Sequence, residues 1–193
     1  FFPGETIRLT GNPVRSELTA SAPNQEDARE AMGLTAGRRT LLVLGGSLGA
    51  RRINQLVEQE LEFLQGLGLQ VLWQCGKGYF ETYRKYASER VQVRPFIGDM
   101  GAAFAAADLI ISRAGAGSVS ELCLVGKPVL FIPSPNVAED HQRKNAEAIV
   151  GRDAAVMLLE SELDSAFEKT FQDLVSDPDR MGQQPAGLGR ACS

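Results

Sequence analysis

The chain has 193 residues, 44% apolar and 23% charged, with 20 Lys and Arg against 24 Asp and Glu for a net charge of −4. That balance is too hydrophobic for disorder and fits one globular domain, or one domain plus a tail. Slight acidity argues against non-specific nucleic-acid binding, which needs clustered Lys and Arg to displace counterions, and no apolar run reaches the ~18 residues of a bilayer span. Cys75, Cys123 and Cys192 offer no CxxC metal spacing. The sequence opens Phe1-Phe2-Pro3 without Met, which reads as a piece of something longer. The expectation is a soluble domain of a reducing compartment.

The first forty residues are broken by Pro3, Gly4, Gly11, Pro13 and Pro23, with one short apolar stretch, Thr6 to Leu9, that could be a strand. Glu26 to Gly33 reads as a short helix closed by glycine. Leu41 to Leu44 is then an apolar run ending in Gly45-Gly46, as a buried parallel strand would. Ile53, Leu56, Val57, Leu61 and Leu64 recur at helical spacing. Leu69 to Trp73 is the next strand, Tyr79 to Ser88 a helix, and Val91 to Val93 a short strand. Met100, Ala103, Phe104 and Ala107 stripe another helix, followed by the strand Leu109 to Ile111 and a helix from Ser118 to Val125. The series closes with the strand Val129 to Ile132, the helix Asp140 to Val150, the strand Ala155 to Leu158 and a helix striped by Leu163, Phe167, Phe171, Leu174 and Val175. Strands alternating with helices predict an α/β fold, a Rossmann-like doubly wound parallel sheet with ligands at the carboxyl ends of its strands.

Two turns carry the chemistry. Gly45-Gly46-Ser47-Leu48-Gly49-Ala50 joins a strand to a helix, where glycines allow positive φ and free N–H groups favour an anion. A tight turn without a ligand is the competing reading. The turn is neither GxxxxGK[ST] nor GxGxxG, which sets aside a P-loop and a dinucleotide fingerprint. The next strand ends Trp73-Gln74-Cys75, without the acid that a nicotinamide ribose requires. The second turn runs Ser112-Arg113-Ala114-Gly115-Ala116-Gly117-Ser118-Val119-Ser120-Glu121. Glu121 suits a ribose diol or, equally, a helix dipole from the first turn, and Ser118 could be an N-cap. Together the two turns fit a nucleotide with a short phosphate chain.

Five motifs follow in order: Gly11-Asn12-Pro13-Val14-Arg15, the first glycine turn, Pro95-Phe96-Ile97-Gly98-Asp99-Met100, Ala107 to Ala116, and Asp140-His141-Gln142-Arg143-Lys144-Asn145-Ala146. In that series the chain resembles the MurG family, bacterial GT-B glycosyltransferases that add N-acetylglucosamine to lipid I to make lipid II. The resemblance covers roughly residues 5–176 and corresponds to the family's C-terminal half. It implies an interdomain linker over 1–20, a UDP-sugar donor domain over 21–176 and an irregular tail over 177–193. It also implies that Arg15 and Ser47 approach the diphosphate and sugar of UDP-N-acetylglucosamine, and that the Ile97 backbone meets the uracil edge. Ala116, Gly117, Ser118, Val119 and Ser120 would wrap the nucleotide, Glu121 would take the ribose hydroxyls, and Gln142 would reach the sugar. Many relatives carry a bulkier residue at the place of Gly117.

The reaction implied is inverting: an acceptor hydroxyl attacks the anomeric carbon and UDP leaves, its charge met by helix N-termini and Arg15. No cofactor or metal is implied. The DxD-like Asp177-Pro178-Asp179 reads as a helix-ending turn and His141 as a ligand neighbour or surface residue. Glu139 and Asp140 are adjacent acids, with Asp140 the helix cap. The general base and the lipid I site would belong to the family's N-terminal domain. The location implied is cytoplasmic, peripheral on the inner face of the membrane. A UDP-sugar transferase of another pathway, a UDP-sugar epimerase or hydrolase, and a stand-alone nucleotide-sugar-binding module are the alternatives.

Overall fold

The computed structural model describes residues 23–46, 48–135, 140–150, 155–178 and Met181. The expected strand at Thr6 to Leu9, the linker over 1–20, Arg15, Ser47, Glu139 and Asp179 lie outside those residues, as does nearly all of the expected tail. In chain order the elements are α1 (Gln25–Ala31), β1 (Thr40–Leu44), α2 (Arg51–Gly66), β2 (Gln70–Gln74), α3 (Phe80–Tyr83), β3 (Val91–Arg94) and α4 (Met100–Ala106). There follow β4 (Leu109–Ser112), α5 (Ala116–Val125), β5 (Val129–Phe131), α6 (His141–Glu147), β6 (Ala155–Met157) and α7 (Leu163–Ser176).

The six strands form one sheet in the order β3-β2-β1-β4-β5-β6. Every pair is parallel. The order reverses between β1 and β4, which leaves a crevice at their carboxyl ends. Register puts Leu42 beside Leu72 and Ile110, and Leu41 beside Val71 and Leu109. Since successive side chains point to opposite faces, β1 feeds two cores. Leu41 and Val43 join Ile53, Leu56, Trp73, Phe167 and Phe171 beneath α2 and α7. Leu42 and Leu44 join Ala28, Phe104, Leu122 and Phe131 on the face covered by α1, α4 and α5. Burial on both faces explains why the central strands read as unbroken apolar runs.

The edge where the strands begin is tied by charge. Arg29 of α1, 5% exposed, pairs through Nη2 with Asp108 at 2.7 Å and through Nη1 with Glu26. The Asp108 carboxylate also accepts from the Thr40 N–H at 2.6 Å, joining α1 to the starts of β1 and β4. Lys127 caps the end of α4, donating through Nζ to the carbonyls of Phe104 at 2.7 Å and Ala105 at 2.9 Å, and to that of Ala107.

Two expectations change. The helix expected from Tyr79 to Ser88 is three short pieces, with 3₁₀ turns at Lys77–Tyr79 and Arg84–Tyr86 flanking α3. This tighter path stacks Tyr83 on Tyr86 with ring centroids 6.4 Å apart, and Trp73 lies 4.9 Å from Tyr83. Packing of one aromatic cluster replaces the amphipathic stripe of a continuous helix. The helix expected from Asp140 to Val150 is confined to His141–Glu147. No helix of the described residues is long and apolar enough to cross a membrane.

Candidate functional site

The carboxyl edge of the sheet holds a cleft of about 410 Å³. It is lined by Gly45, Gly49 and Ala50 of the first glycine turn, Arg51, Arg52 and Gln55 of α2, and Arg113, Ser134, Gln142 and Glu160 from beyond the switch point. A second cleft of about 380 Å³ shares Ser134 and Glu160 and continues past Asp140 and Arg143.

The turn after β1 serves two purposes. Gly49 has φ +82°, and a Cβ there would lie 2.2 Å from the Cys75 carbonyl oxygen. Gly49 is therefore required by packing against the chain leaving β2. Gly46, at φ +81°, has open space where a side chain would go, so its freedom is conformational and its surroundings accessible. The tight-turn reading accounts for Gly49, whereas no packing contact requires a glycine at Gly46.

Two helices begin at this edge without side-chain caps. The N-cap of α2 is Ala50, with no acid in the first turn; Arg51 and Arg52 stand there instead, a poor match for the positive end of a helix dipole. An anion in the cleft would relieve that mismatch and meet the free N–H groups. The N-cap of α5 is Gly115, again with no side-chain bond and no acid in the first turn. Arg52 pairs with Asp164 at 2.6 Å and Arg113 with Glu160 at 2.5 Å, while Arg113 Nη1 donates to the Ile132 carbonyl at 3.0 Å.

The expected site residues divide by position. Gln142 lines the larger cleft and accepts from the Ser134 N–H at 2.9 Å through Oε1. Ile97 follows β3 on the same edge, 4% exposed, its N–H donating to Gln74 Oε1 at 2.9 Å. Ala116 and Gly117 are exposed at the start of α5, and nothing lies within 4 Å of where a Gly117 Cβ would be. Val119 is buried in the core beneath α5, so only its backbone faces the edge. Ser120 Oγ donates to the Ala116 carbonyl at 3.0 Å.

Three local readings are corrected. α5 begins at Ala116, two residues before the expected start, so Ser118 is its third residue and Gly115 holds the cap. Glu121 is half-buried in the second turn, beyond the reach of a first-turn dipole role. Asp140 does precede α6 as its N-cap, but at φ +56° and without a side-chain cap bond. His141 is exposed at the first residue of α6. Cys75 is a buried free thiol whose burial raises its pKa, which makes it a packing residue and not a nucleophile.

Sequence reasoning missed Gln74 and the Arg113–Glu160 pair. Gln74 registers there only as the place where a ribose-binding acid is lacking. Its side chain in fact bridges Ile97 and the Gly46 carbonyl, the latter at 3.1 Å. A buried amide at a strand end is the only signal available.

A doubly wound parallel sheet with a cleft at its switch point and two helix N-termini without side-chain caps defines a Rossmann-like α/β domain. The chain belongs to glycosyltransferase family 28, whose C-terminal domain model matches residues 40–188. A curated relative from Christiangramia forsetii is 55% identical over 187 residues, 97% of this chain and 51% of the relative. One from Flavobacterium psychrophilum is 53% identical over 178 residues, 92% of this chain and 48% of the relative. Both carry the name UDP-N-acetylglucosamine–N-acetylmuramyl-(pentapeptide) pyrophosphoryl-undecaprenol N-acetylglucosamine transferase. The crystal structure of Acinetobacter baumannii MurG superposes with a TM-score of 0.70 at 30% identity, covering 98% of this chain and 53% of that one. The kitacinnamycin glycotransferase shares the fold at 23% identity with a TM-score of 0.63, covering 82% of this chain and 40% of that one. The chain spans about half the length of the curated relatives it matches.

Proposed function

We propose that residues 21–176 form the UDP-N-acetylglucosamine-binding half of an inverting transferase that glycosylates lipid I to give lipid II. The observation that carries this reading is the start of α2: a glycine turn open at Gly46, then a helix N-terminus bearing two arginines and no cap. That arrangement suits a diphosphate, such as the one in the UDP-N-acetylglucosamine printed in the relatives' names.

In this reading the leaving UDP is stabilised by donors already in place when charge develops. The α2 and α5 N-termini supply N–H groups, and Arg113 supplies positive charge held by Glu160. Ile97 offers its carbonyl to the base edge, since its N–H is given to Gln74. Glu121 takes the ribose hydroxyls and Gln142 the sugar; Arg15 and Ser47 complete the diphosphate contacts. The acceptor site, the general base and the peripheral contact with the inner membrane face belong to the other half of the transferase. The chain alone accordingly binds donor and transfers little or no sugar to lipid I.

Calorimetric titration with UDP-N-acetylglucosamine, UDP-glucose and GDP-mannose tests the reading. UDP-sugars should bind more tightly than GDP-mannose, and Glu121→Ala should weaken UDP binding about tenfold, the loss of charge-assisted hydrogen bonds to the ribose. Equal affinity for GDP-mannose rejects the nucleotide assignment, and unchanged binding by Glu121→Ala rejects its ribose role.

A further inference from the structure

Gln74 ends β2 where dinucleotide-binding folds place a ribose acid, yet its side chain is 4% exposed and turned to the protein. One amide spans two loops: Oε1 accepts from the Ile97 N–H at 2.9 Å and Nε2 donates to the Gly46 carbonyl at 3.1 Å. Gly46 belongs to the glycine turn after β1, Ile97 to the loop after β3, and β2 lies between those strands. A carboxamide holds a donor and an acceptor at one terminus, which an ionised carboxylate of the same length does not. A carboxylate would accept from Ile97 but present a second acceptor to the Gly46 carbonyl.

We propose that Gln74 is a positioning residue for the nucleotide: its buried amide fixes the spacing of the glycine turn and the Ile97 loop. The phosphate and base ends of one ligand then meet a single frame set before binding. A frame ordered in advance spares the ligand the cost of ordering two loops. The proposal rests on the donor-binding reading above, in which those loops hold opposite ends of UDP.

The test is titration of the 193-residue chain with UDP, comparing the parent with Gln74→Met and Gln74→Glu at about pH 8 and about pH 5.5, either side of the range expected for a buried carboxyl. Each variant is read as its ratio to the parent at the same pH, which cancels protonation of the ligand. Gln74→Met, of similar length but with neither bond, should bind about tenfold more weakly at both values. Gln74→Glu should match that loss at the higher pH and recover most of it at the lower, where the protonated carboxyl donates to Gly46 again. If Gln74→Met does not fold, the pH recovery of Gln74→Glu carries the test alone. A parent that binds no UDP defeats the donor reading, and the proposal with it. A parent that binds, with variants within about twofold of it or equally weak at both pH values, overturns the role of Gln74 and leaves the donor reading standing.

Discussion

Replacing Gly49 by Ala would place a methyl carbon 2.2 Å from the Cys75 carbonyl oxygen and 2.9 Å from Tyr79 Cδ2. The backbone there has φ +82°, which an L side chain adopts at a cost of about 1–2 kcal/mol. The oxygen is main chain, so relief requires the turn to move away from β2, adding about 1–3 kcal/mol of overpacking strain. The reverse contact is as tight: a Cβ on Gly76 would meet Gly49 Cα at 2.5 Å. The total, about 2–5 kcal/mol, is a large share of the 5–15 kcal/mol typical of a domain. Gly46→Ala is the matched control. Its φ is +81°, nearly the same, but nothing lies within 4 Å of the new methyl, so only the conformational cost of about 1–2 kcal/mol applies. Urea unfolding followed by circular dichroism measures both. Gly49→Ala should lose about 1–3 kcal/mol more than Gly46→Ala. Gly46→Ala, the milder change for folding, should still weaken UDP because its methyl enters the space left for ligand. Equal stability losses would refute the contact argument, and unchanged UDP affinity in Gly46→Ala would remove that turn from the site.

The opposite edge of the sheet gives two further expectations. Arg29→Met leaves Asp108 without its guanidinium partner and should cost about 2–4 kcal/mol in urea unfolding, somewhat below a fully buried pair because Asp108 keeps some exposure; a loss under about 0.5 kcal/mol would show the pair to be dispensable. Burial lowers the Lys127 pKa from 10.5 to about 8, with Asp108 opposing the shift. Below about pH 8 the ammonium is charged in both states; between there and 10.5 the unfolded chain holds a proton that the native chain has released. The unfolded state then binds more protons, so this group makes stability rise with pH across that window, by at most about 3 kcal/mol. The rise should vanish in Lys127→Met, and its survival there would assign it to another group.

The sheet was legible because its strands are buried on both faces. Leu41 to Leu44 and Leu109 to Ile111 show as apolar runs whatever their neighbours, whereas the strand order joins distant segments and no local pattern announces it. The glycine turns were legible because few residue types tolerate their backbone. Helix starts were harder: Gly115-Ala116-Gly117 looks like loop by propensity, yet Gly115 caps the helix and Ala116 opens it, which moved Glu121 back a turn. The break around α3 was hidden because Tyr79, Tyr83 and Tyr86 have helix-like spacing, and only Trp73 on a different element makes the tighter path favourable. Pairings such as Arg29 with Asp108, Arg113 with Glu160 and Gln74 with Ile97 join distant parts of the chain, so no local pattern announces them.

Trp73 is the chain's single tryptophan, fully buried, with its indole N–H bonded to Asn54 Oδ1 at 2.9 Å. It precedes Gln74 but its side chain lies in the core layer under α2 and α7. The molecule thus contains its own optical reporter, dark to the ligand and bright to the fold. Emission should be blue-shifted in the native chain, shift to the red as α2 separates from the sheet, and stay nearly constant as UDP is added. One cuvette can then separate a variant that has lost its site from one that has lost its structure.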